Sequence, residues 1–338
     1  MKSFWLGMCG LLSFSSLSVA RADTLGEVKK RGFLKCGVSQ GLAGFSAPDK
    51  GGLWQGIDVD LCRAVAAAVL GDATKVKYSP LSAKERLTAL QSGEIDVLSR
   101  NTTWTFQRDT QLGVDFAGVI YYDGQGFMVP KKLGVKAAKE LGGASVCVQL
   151  GTTTELNLAD FFRSQNLTYK LVTFEKNDEV VAAYDAGRCD VISADRSGLF
   201  ADRSAKLKKP DDHVILPEII SKEPLGPVVR HGDNRWGDIV RWSLYALLEA
   251  EELKVDSKNI EANKKSNNPA IRRLLGVEGE LGKNLGLNTN WAASIIQQVG
   301  NYQQIFDRNL GKDSPLKIER GQNALWNAGG LHYPMPFR

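Results

Sequence analysis

The sequence predicts an α/β protein that consists of two lobes. The chain has 338 residues, and at roughly 150 residues per domain this length suits two domains. Strand and helix patterns alternate along it, which is typical of parallel sheets covered by helices. A ten-residue pattern also occurs twice, at 90–99 and 184–193, and each copy combines a helix end, a glycine and a short buried strand. Such units are common enough for chance similarity to be the alternative, but the repeat favours two lobes that are built alike.

The first lobe shows strands and helices in alternation. After a strand at 33–38 and a turn-rich segment comes a helix with one apolar face, from Ile57 to Val69, and Gly71 ends it. The remaining elements predicted here are a strand at 76–78, a helix at 84–91 and a strand at 95–99. This order predicts a parallel sheet.

The second α/β unit occupies about 131–221. Its predicted strands lie near 145–150, 170–174 and 189–193. Two crossings of the chain join the units, one near 127–130 and one at 221–229. We therefore expect a double hinge and a cleft between the lobes.

The remainder of the chain is predicted to return to the first lobe. Long amphipathic helices are expected at 236–253 and 291–306, and we interpret their aromatic stripes as packing faces. The expected organisation is lobe 1 at 23–127, lobe 2 at 128–221, and at 222–338 the completion of lobe 1 followed by a C-terminal helical extension.

The composition is that of a soluble globular protein. Hydrophobic residues make up 43% and charged residues 24% of the chain, which excludes disordered, collagen-like and multi-span membrane proteins. The formal net charge is +5, and basic residues alternate with acidic ones. This pattern disfavours a nucleic-acid partner.

The first 22 residues have the pattern of a cleavable signal peptide. Lys2 precedes an apolar run at 4–19, and Ala20 and Ala22 provide the small residues of a cleavage site. The mature chain would begin at Asp23. No later run approaches the roughly 20 apolar residues of a membrane span. We therefore expect a soluble protein of the periplasm.

Four cysteines remain after processing, and they are expected to form disulfides in an oxidising compartment. Sequence alone allows three pairings. The chain has no CxxC motif and its histidines are scattered, so we expect no metal site and no cofactor. If each lobe holds its own pair, the bridges are Cys36–Cys62 and Cys147–Cys189. A bridge between the lobes would prevent a hinge from opening.

Candidate ligand-binding residues follow the predicted strands, because ligands of open α/β sheets collect at the carboxyl ends of the strands. After the strand at 95–99, Thr103 and Arg108 suit a carboxylate, since arginine offers two parallel donors. The loop at 151–155 opens a helix whose free amides favour an anion. Asp195 ends the strand of the second lobe and could hold an ammonium group. Together these clusters match a zwitterionic α-amino acid.

Each cluster also has a structural interpretation. The guanidinium of Arg108 could be solvated, the threonines at 152–154 could merely cap a helix, and Asp195 could pair with Arg188 or Arg196. The placement after strand ends favours a ligand site, because a closed cleft requires an opposite charge for each desolvated ligand charge.

Several motifs resemble family 3 solute-binding proteins, the periplasmic amino-acid receptors of ABC importers. These motifs are WQGIDVDL at 54–61, the segment 87–109, QLGTT at 149–153 and DVISAD at 190–195. SRNTTWT at 99–105 and GTTTELNLAD at 151–160 are similar to the binding proteins of general L-amino-acid permeases. The resemblance covers the mature chain, including the extension after about Gly276. It implies a bilobal periplasmic-binding-protein fold of type II.

The resemblance also implies roles for single residues. In that family the position of Arg108 grips the α-carboxylate with help from the positions of Thr103 and Thr153, and the position of Asp195 binds the α-amino group. Further contacts near the amine come from the positions of Arg100 and Asn101. One departure is Leu42, where the family often has an aromatic residue. This departure implies a less selective pocket, although Phe45 or Trp104 could line it instead.

The predicted function is therefore a periplasmic receptor for L-amino acids that closes around its ligand and docks as a monomer onto a membrane permease. The alternative is an enzyme on the same fold, similar to cyclohexadienyl or arogenate dehydratases, with Glu155 or Glu179 as a general acid. The sequence offers no nucleophile–histidine pair and no phosphate loop. A sensor input domain is the third interpretation, and it is disfavoured because no apolar span follows the second lobe.

Overall fold

The computed structural model describes residues 23–338, so the predicted signal peptide lies outside the described residues. The strands are β1 Leu34–Val38, β2 Ala47–Pro48, β3 Trp54–Gln55, β4 Val76–Pro80, β5 Val97–Leu98, β6 Val114–Phe116, β7 Tyr121–Asp123, β8 Gln125–Pro130, β9 Ser145–Gln149, β10 Lys170–Phe174, β11 Val191–Asp195, β12 His213–Ile215, β13 Glu223–Leu225 and β14 Val228–Arg230. The helices are α1 Thr24–Arg31, α2 Ile57–Leu70, α3 Arg86–Gln91, α4 Phe106–Gln111, α5 Thr154–Ser164, α6 Asn177–Asp185, α7 Arg196–Lys206, α8 Asn234–Glu252, α9 Ile260–Asn263, α10 Pro269–Leu274, α11 Leu281–Leu285, α12 Trp291–Val299 and α13 Tyr302–Asn309.

The two lobes share one sheet topology. The order is β4-β1-β5-β14-β6 in lobe 1 and β10-β9-β11-β8-β12 in lobe 2. In each sheet the first three strands are parallel and the fourth runs antiparallel to both of its neighbours. The repeated strands β5 and β11 are central in both sheets. The prediction of two lobes that are built alike is confirmed.

The hinge is formed by β7 and β13, which pair antiparallel with Glu223 opposite Asp123. The first crossing was expected near 127–130, and this position is wrong. Residues 125–130 form β8, which lies between β11 and β12 in the sheet of lobe 2. Lobe 2 therefore begins a few residues before 128. A continuous apolar run at a lobe boundary does not distinguish a linker from a strand that is buried on both faces.

The long helix predicted at 291–306 is two helices. The chain breaks at Gly300, whose φ is +97°, and Asn301 caps α13 together with Gln304. Residues on both sides of the break, including Val299 and Tyr302, remain buried. The apolar spacing continues across the break, so periodicity alone does not reveal it.

Lobe 1 has the larger core. Helix α2 is buried on nearly every side, between β1 and the helices α8 and α12 that follow the second crossing. Disulfides join Cys36 to Cys62 in lobe 1 and Cys147 to Cys189 in lobe 2, with Cα–Cα distances of 6.3 and 5.8 Å. Of the helices within residues 23–338, none combines the length and the apolar character needed to cross a bilayer.

The C-terminal extension reaches the hinge. The Asn323 side chain accepts a hydrogen bond from the backbone N–H of Tyr122 at 2.7 Å and donates one to the Tyr122 carbonyl at 3.0 Å. His332 Nε2 lies 2.9 Å from the hydroxyl of Tyr302, which donates to the carbonyl of Ile120 at 2.7 Å. The extension therefore contacts β7 directly through Asn323 and the residue before β7 through Tyr302.

Candidate functional site

A cavity of about 280 Å³ lies between the lobes, at the carboxyl ends of the central strands. Its lining includes Ser39 after β1, Arg100 after β5, Gln149 at the end of β9 and Asp195 at the end of β11. The strand-end rule used on the sequence therefore points to the correct edge of both sheets. The same rule applied to β1 would have found Ser39, which the sequence analysis missed.

In lobe 1, the loop after β5 is held from beneath by Asp58. This buried carboxylate accepts hydrogen bonds from Ser99 Oγ at 3.1 Å and from the Asn101 backbone N–H at 2.9 Å. Asn101 has a φ of +29°, which a non-glycine residue adopts only when its surroundings hold it. Burial raises the pKa of Asp58 to about 6, although its hydrogen bonds oppose the shift. Together these contacts hold Arg100, Asn101 and Thr103 at the cavity wall.

Three guanidinium groups lie close together on the lobe 1 side. Arg86, which the sequence analysis missed, lines the cavity beside Arg100. Arg86 Nη1 donates to the Arg100 carbonyl at 3.2 Å and to Thr102 Oγ1 at 3.3 Å. Burial lowers the pKa of Arg86 well below its usual value, and the charges of Arg108 and Arg100 lower it further. An anion in the cavity would relieve this repulsion.

Arg108 stands behind the wall that it was expected to form. Its Nη1 donates to the Thr103 carbonyl at 2.9 Å, and it is not among the residues that line the cavity. Burial lowers the pKa of Arg108, whereas the nearby carboxylates of Glu223 and Asp195 raise it. The structure thus brings Arg108 close to the other predicted residues, but Arg86 and Arg100 are the arginines at the cavity surface.

In lobe 2, the start of α5 lines the cavity through residues 152–154. No side chain caps this helix, so its first backbone N–H groups are available to an anion. Thr153 Oγ1 donates to Glu223 Oε2 at 3.0 Å, which ties the loop to hinge strand β13. Glu223 was also missed. It is a buried acid that also accepts from Asn157 Nδ2 at 2.7 Å.

The lobes touch at the mouth of the cleft. Gly151 has a φ of +74°, and a Cβ at this position would lie 3.2 Å from the Cα and N atoms of Lys84 in lobe 1. A side chain at this position would crowd the Lys84 backbone, which would have to shift by a few tenths of an ångström. The structure is therefore a closed form.

The carboxylate of Asp195, in lobe 2, faces the arginine side chains of lobe 1. Its carboxylate has no side-chain hydrogen bond to the rest of residues 23–338. Burial raises its pKa well above the usual range, and the acids Asp123 and Glu223 of the hinge strands raise it further. The pairing with Arg196 that the sequence left open is absent, because Arg196 Nη1 donates to the Leu216 carbonyl at 2.8 Å. The other candidate partner, Arg188, lies over Phe174 instead.

The cavity wall contains Leu42 and neither of the two aromatic residues considered as substitutes. Phe45 packs edge-on against Tyr121 at 5.4 Å, and Trp104 stacks on Phe116 at the same centroid distance. Both aromatic residues therefore belong to the packing of lobe 1 and the hinge.

Two acids were considered for catalysis, and neither Glu155 nor Glu179 lines the cavity. Glu179 instead accepts a hydrogen bond from the Lys176 backbone N–H at 3.3 Å, as part of the capping of α6. The part of the chain described by the structure contains no group of three or more potential metal ligands.

Comparison with known proteins gives one consistent picture. Residues 34–259 match the family of bacterial extracellular solute-binding proteins, family 3. The general L-amino acid-binding periplasmic protein AapJ of Rhizobium johnstonii is 62% identical over 323 residues, which cover 95% of this chain and 94% of AapJ. The glutamate/glutamine/aspartate/asparagine-binding protein BztA of Rhodobacter capsulatus is 56% identical over 338 residues, with 100% of this chain and 99% of BztA covered.

One solved structure is also highly similar to this chain. An ABC transporter periplasmic binding protein from Brucella ovis with glutathione bound superposes with a TM-score of 0.92 and 60% sequence identity. The match covers 94% of this chain and 100% of the Brucella protein.

Proposed function

Because the chain belongs to family 3 of the bacterial extracellular solute-binding proteins, we propose that it is the periplasmic receptor through which an ABC importer takes up L-amino acids. Its role is to bind a solute, not to transform one. The observation that best supports an amino-acid ligand is the arrangement of charges in the cleft. Arg86 and Arg100 line it from lobe 1 with Arg108 behind them, and the N-terminus of α5 and the carboxylate of Asp195 line it from lobe 2.

The proposed binding mode follows from these charges. The α-carboxylate would bind between the arginine side and the amides at the start of α5. Thr103 would add its hydroxyl donor and Thr153 its backbone N–H, since the Thr153 hydroxyl already donates to Glu223. Arg108 would act beside Thr103, and Arg100 and Asn101 near the amine. The ammonium would pair with Asp195. Each ligand charge loses its water in the closed cleft, so affinity requires both partners.

Delivery would depend on the hinge. The paired strands β7 and β13 are the two connections between the lobes in the described residues, so the lobes can rotate while each sheet stays intact. We propose that the monomer captures its ligand when open and that the closed form docks onto the permease. Export to the periplasm by the signal peptide at 1–22 belongs to the same proposal.

Glutathione is a second candidate ligand. The Brucella relative holds it, and its γ-glutamyl end is a free α-amino acid that presents the same ammonium and carboxylate. The cavity of about 280 Å³ approaches the lower end of the range of pockets for drug-sized ligands, about 300–1,000 Å³. Its size therefore suits either a single amino acid or a small peptide.

Calorimetric titration tests the proposal. We expect several L-amino acids to bind tightly, and the amide and N-acetyl derivatives of the same amino acids to bind weakly, because each derivative lacks one of the two charges. Tight binding of a single amino acid would contradict broad specificity. Equal binding of the derivatives would contradict the charge pairing.

A further inference from the structure

Helix α7 lines the cavity over about two turns. Asp195 precedes the helix, and Gly198 and Asp202 follow at spacings of three and four residues, so all three lie on one face. At a rise of 1.5 Å per residue, seven residues separate the two aspartates by about 10 Å along the axis. The cavity therefore extends well beyond the carboxylate proposed to hold the α-ammonium.

Gly198 keeps this face open. Apart from the adjacent residues and the nearby backbone of α7 itself, a Cβ at this position would have one neighbouring atom within 4 Å among the described residues, Asp195 Cβ at 4.0 Å. No side chain thus stands between the two aspartates. Gly198 has no positive φ that would require a glycine, so the backbone conformation does not explain its presence.

A fixed polar network closes the far end of the cavity. Asn177 Nδ2 lies 3.1 and 3.0 Å from the two carboxylate oxygens of Asp202 and donates to them. Lys206 Nζ lies 3.0 Å from Asp202 and 2.9 Å from Asp178. Asp202 is 1% exposed, so it serves to orient Asn177. The Asn177 amide is then held by its nitrogen, and its oxygen accepts no hydrogen bond within residues 23–338.

The charges at this end balance. The carboxylates of Asp178 and Asp202 both pair with the ammonium group of Lys206. Lys176 supplies the second positive charge, and it lines the cavity together with Asp178 and Asp202. A charged ligand group would gain little electrostatic stabilisation beside side chains whose charges already balance. An uncharged group that donates to the Asn177 oxygen suits this end better, and an amide N–H is such a group.

We propose that Gly198, Asn177 and Asp202 form a distal subsite for an amide group in the extension of the ligand. The inference rests on the proposed function, since the free amino-acid end would occupy the site at Asp195. The ligand class is then extended to amino acids whose side chain continues through an amide linkage, such as γ-glutamyl peptides. Asp202 is a positioning residue and Asn177 makes the direct contact.

The test compares a short and a long ligand on three variants by calorimetry. The probes are L-alanine, which ends near Asp195, and glutathione, which reaches along α7. In Gly198→Leu the new side chain fills the open face, and we expect the ratio of the glutathione Kd to the alanine Kd to rise at least 30-fold. Asn177→Ala removes the acceptor and should raise the same ratio about tenfold. Ser204→Leu, on the exposed face of α7, is the matched control and should leave the ratio unchanged.

The outcomes separate the two proposals. If wild-type protein binds alanine but not glutathione, or if the ratio is unchanged in Asn177→Ala and Gly198→Leu, the distal subsite is overturned and the amino-acid receptor stands. If wild-type protein binds neither probe nor any other L-amino acid, the proposed function itself fails. If Gly198→Leu does not fold, Asn177→Ala alone decides.

Discussion

Replacement of Asp195 by asparagine tests the proposed charge pairing most directly. The two side chains have nearly the same shape, so the substitution removes the charge and leaves the cavity volume almost unchanged. Asp195 makes no side-chain hydrogen bond within the described part of the chain, so the variant breaks no hydrogen bond of the folded protein. The loss should appear in ligand binding alone.

The expected magnitude follows from the closed cleft. Removal of one partner of a buried ion pair costs about 3–5 kcal/mol, because the other charge stays desolvated. Since about 1.4 kcal/mol corresponds to a factor of ten, the Kd of L-amino acids should rise by roughly two to three and a half orders of magnitude. The ligand-free variant should be at least as stable as wild type, because the neutral amide would lack the repulsion from Asp123 and Glu223 that raises the pKa of Asp195.

The same pKa shift gives a pH signature. A raised pKa means that the Asp195 carboxyl of the ligand-free protein still carries a proton at a pH where a free aspartate has lost it. Pairing with an ammonium requires the ionised form, so binding should release a proton and weaken as the pH falls. Asp195→Asn should show neither effect.

Calorimetry in two buffers of different ionisation enthalpy measures both the Kd and the proton release. The exposed carboxylate of Asp160 provides a matched control, and Asp160→Asn should bind like wild type. A Kd for Asp195→Asn within threefold of wild type would refute the assignment of the ammonium site. A thermal midpoint well below that of ligand-free wild type would refute the claim that the carboxylate is not needed for folding.

Three further predictions concern closure, the extension and the disulfides. Gly151→Val places a side chain against the Lys84 backbone, so every ligand should bind at least tenfold more weakly. Small-angle scattering should show an open form at saturating ligand, and compaction equal to that of wild type would contradict the role of Gly151 in closure. Burial lowers the pKa of His332 to about 3, so on acidification the unfolded state binds the proton first. The free energy of unfolding should therefore fall by up to roughly 4–5 kcal/mol as the pH drops from about 6.5 to 3. Urea unfolding of His332→Gln should show a flatter pH dependence, and a slope identical to that of wild type would contradict the role of His332. The Cys147–Cys189 bridge spans 42 residues, so the double serine variant should lose about 2–5 kcal/mol of unfolding free energy, and an unchanged urea midpoint would exclude a stabilising bridge.

Local patterns in the sequence predicted much of the fold. The repeated helix–glycine–strand units correspond to β5 and β11, which are central in both sheets. Polar loops after these strands predicted which edge of each sheet carries the cavity, because parallel strands present their carboxyl ends together. Of the predicted ligand residues, Arg100, Asn101, Thr103, Thr153 and Asp195 line one cavity. Their roles in binding remain predictions.

Errors arose where a pattern has two structural meanings. The apolar run at 126–130 suited a linker and a buried strand equally, and the structure has a strand. The stripe across Gly300 suited one helix or two. Periodicity reports which side chains are buried but not which element buries them.

The sequence by itself determined the α/β alternation, the two similar lobes and the chemical types of residue at the strand ends, because these depend on neighbours along the chain. Only the tertiary structure decided that Arg86 faces the cavity while Arg108 stands behind Thr103, and that the acids of β7 and β13 lie near Asp195. Arg86 and Glu223, the most distant of these groups, are 137 residues apart in sequence. Their proximity depends on how the hinge brings the two sheets together, and local patterns carry no information about that distance.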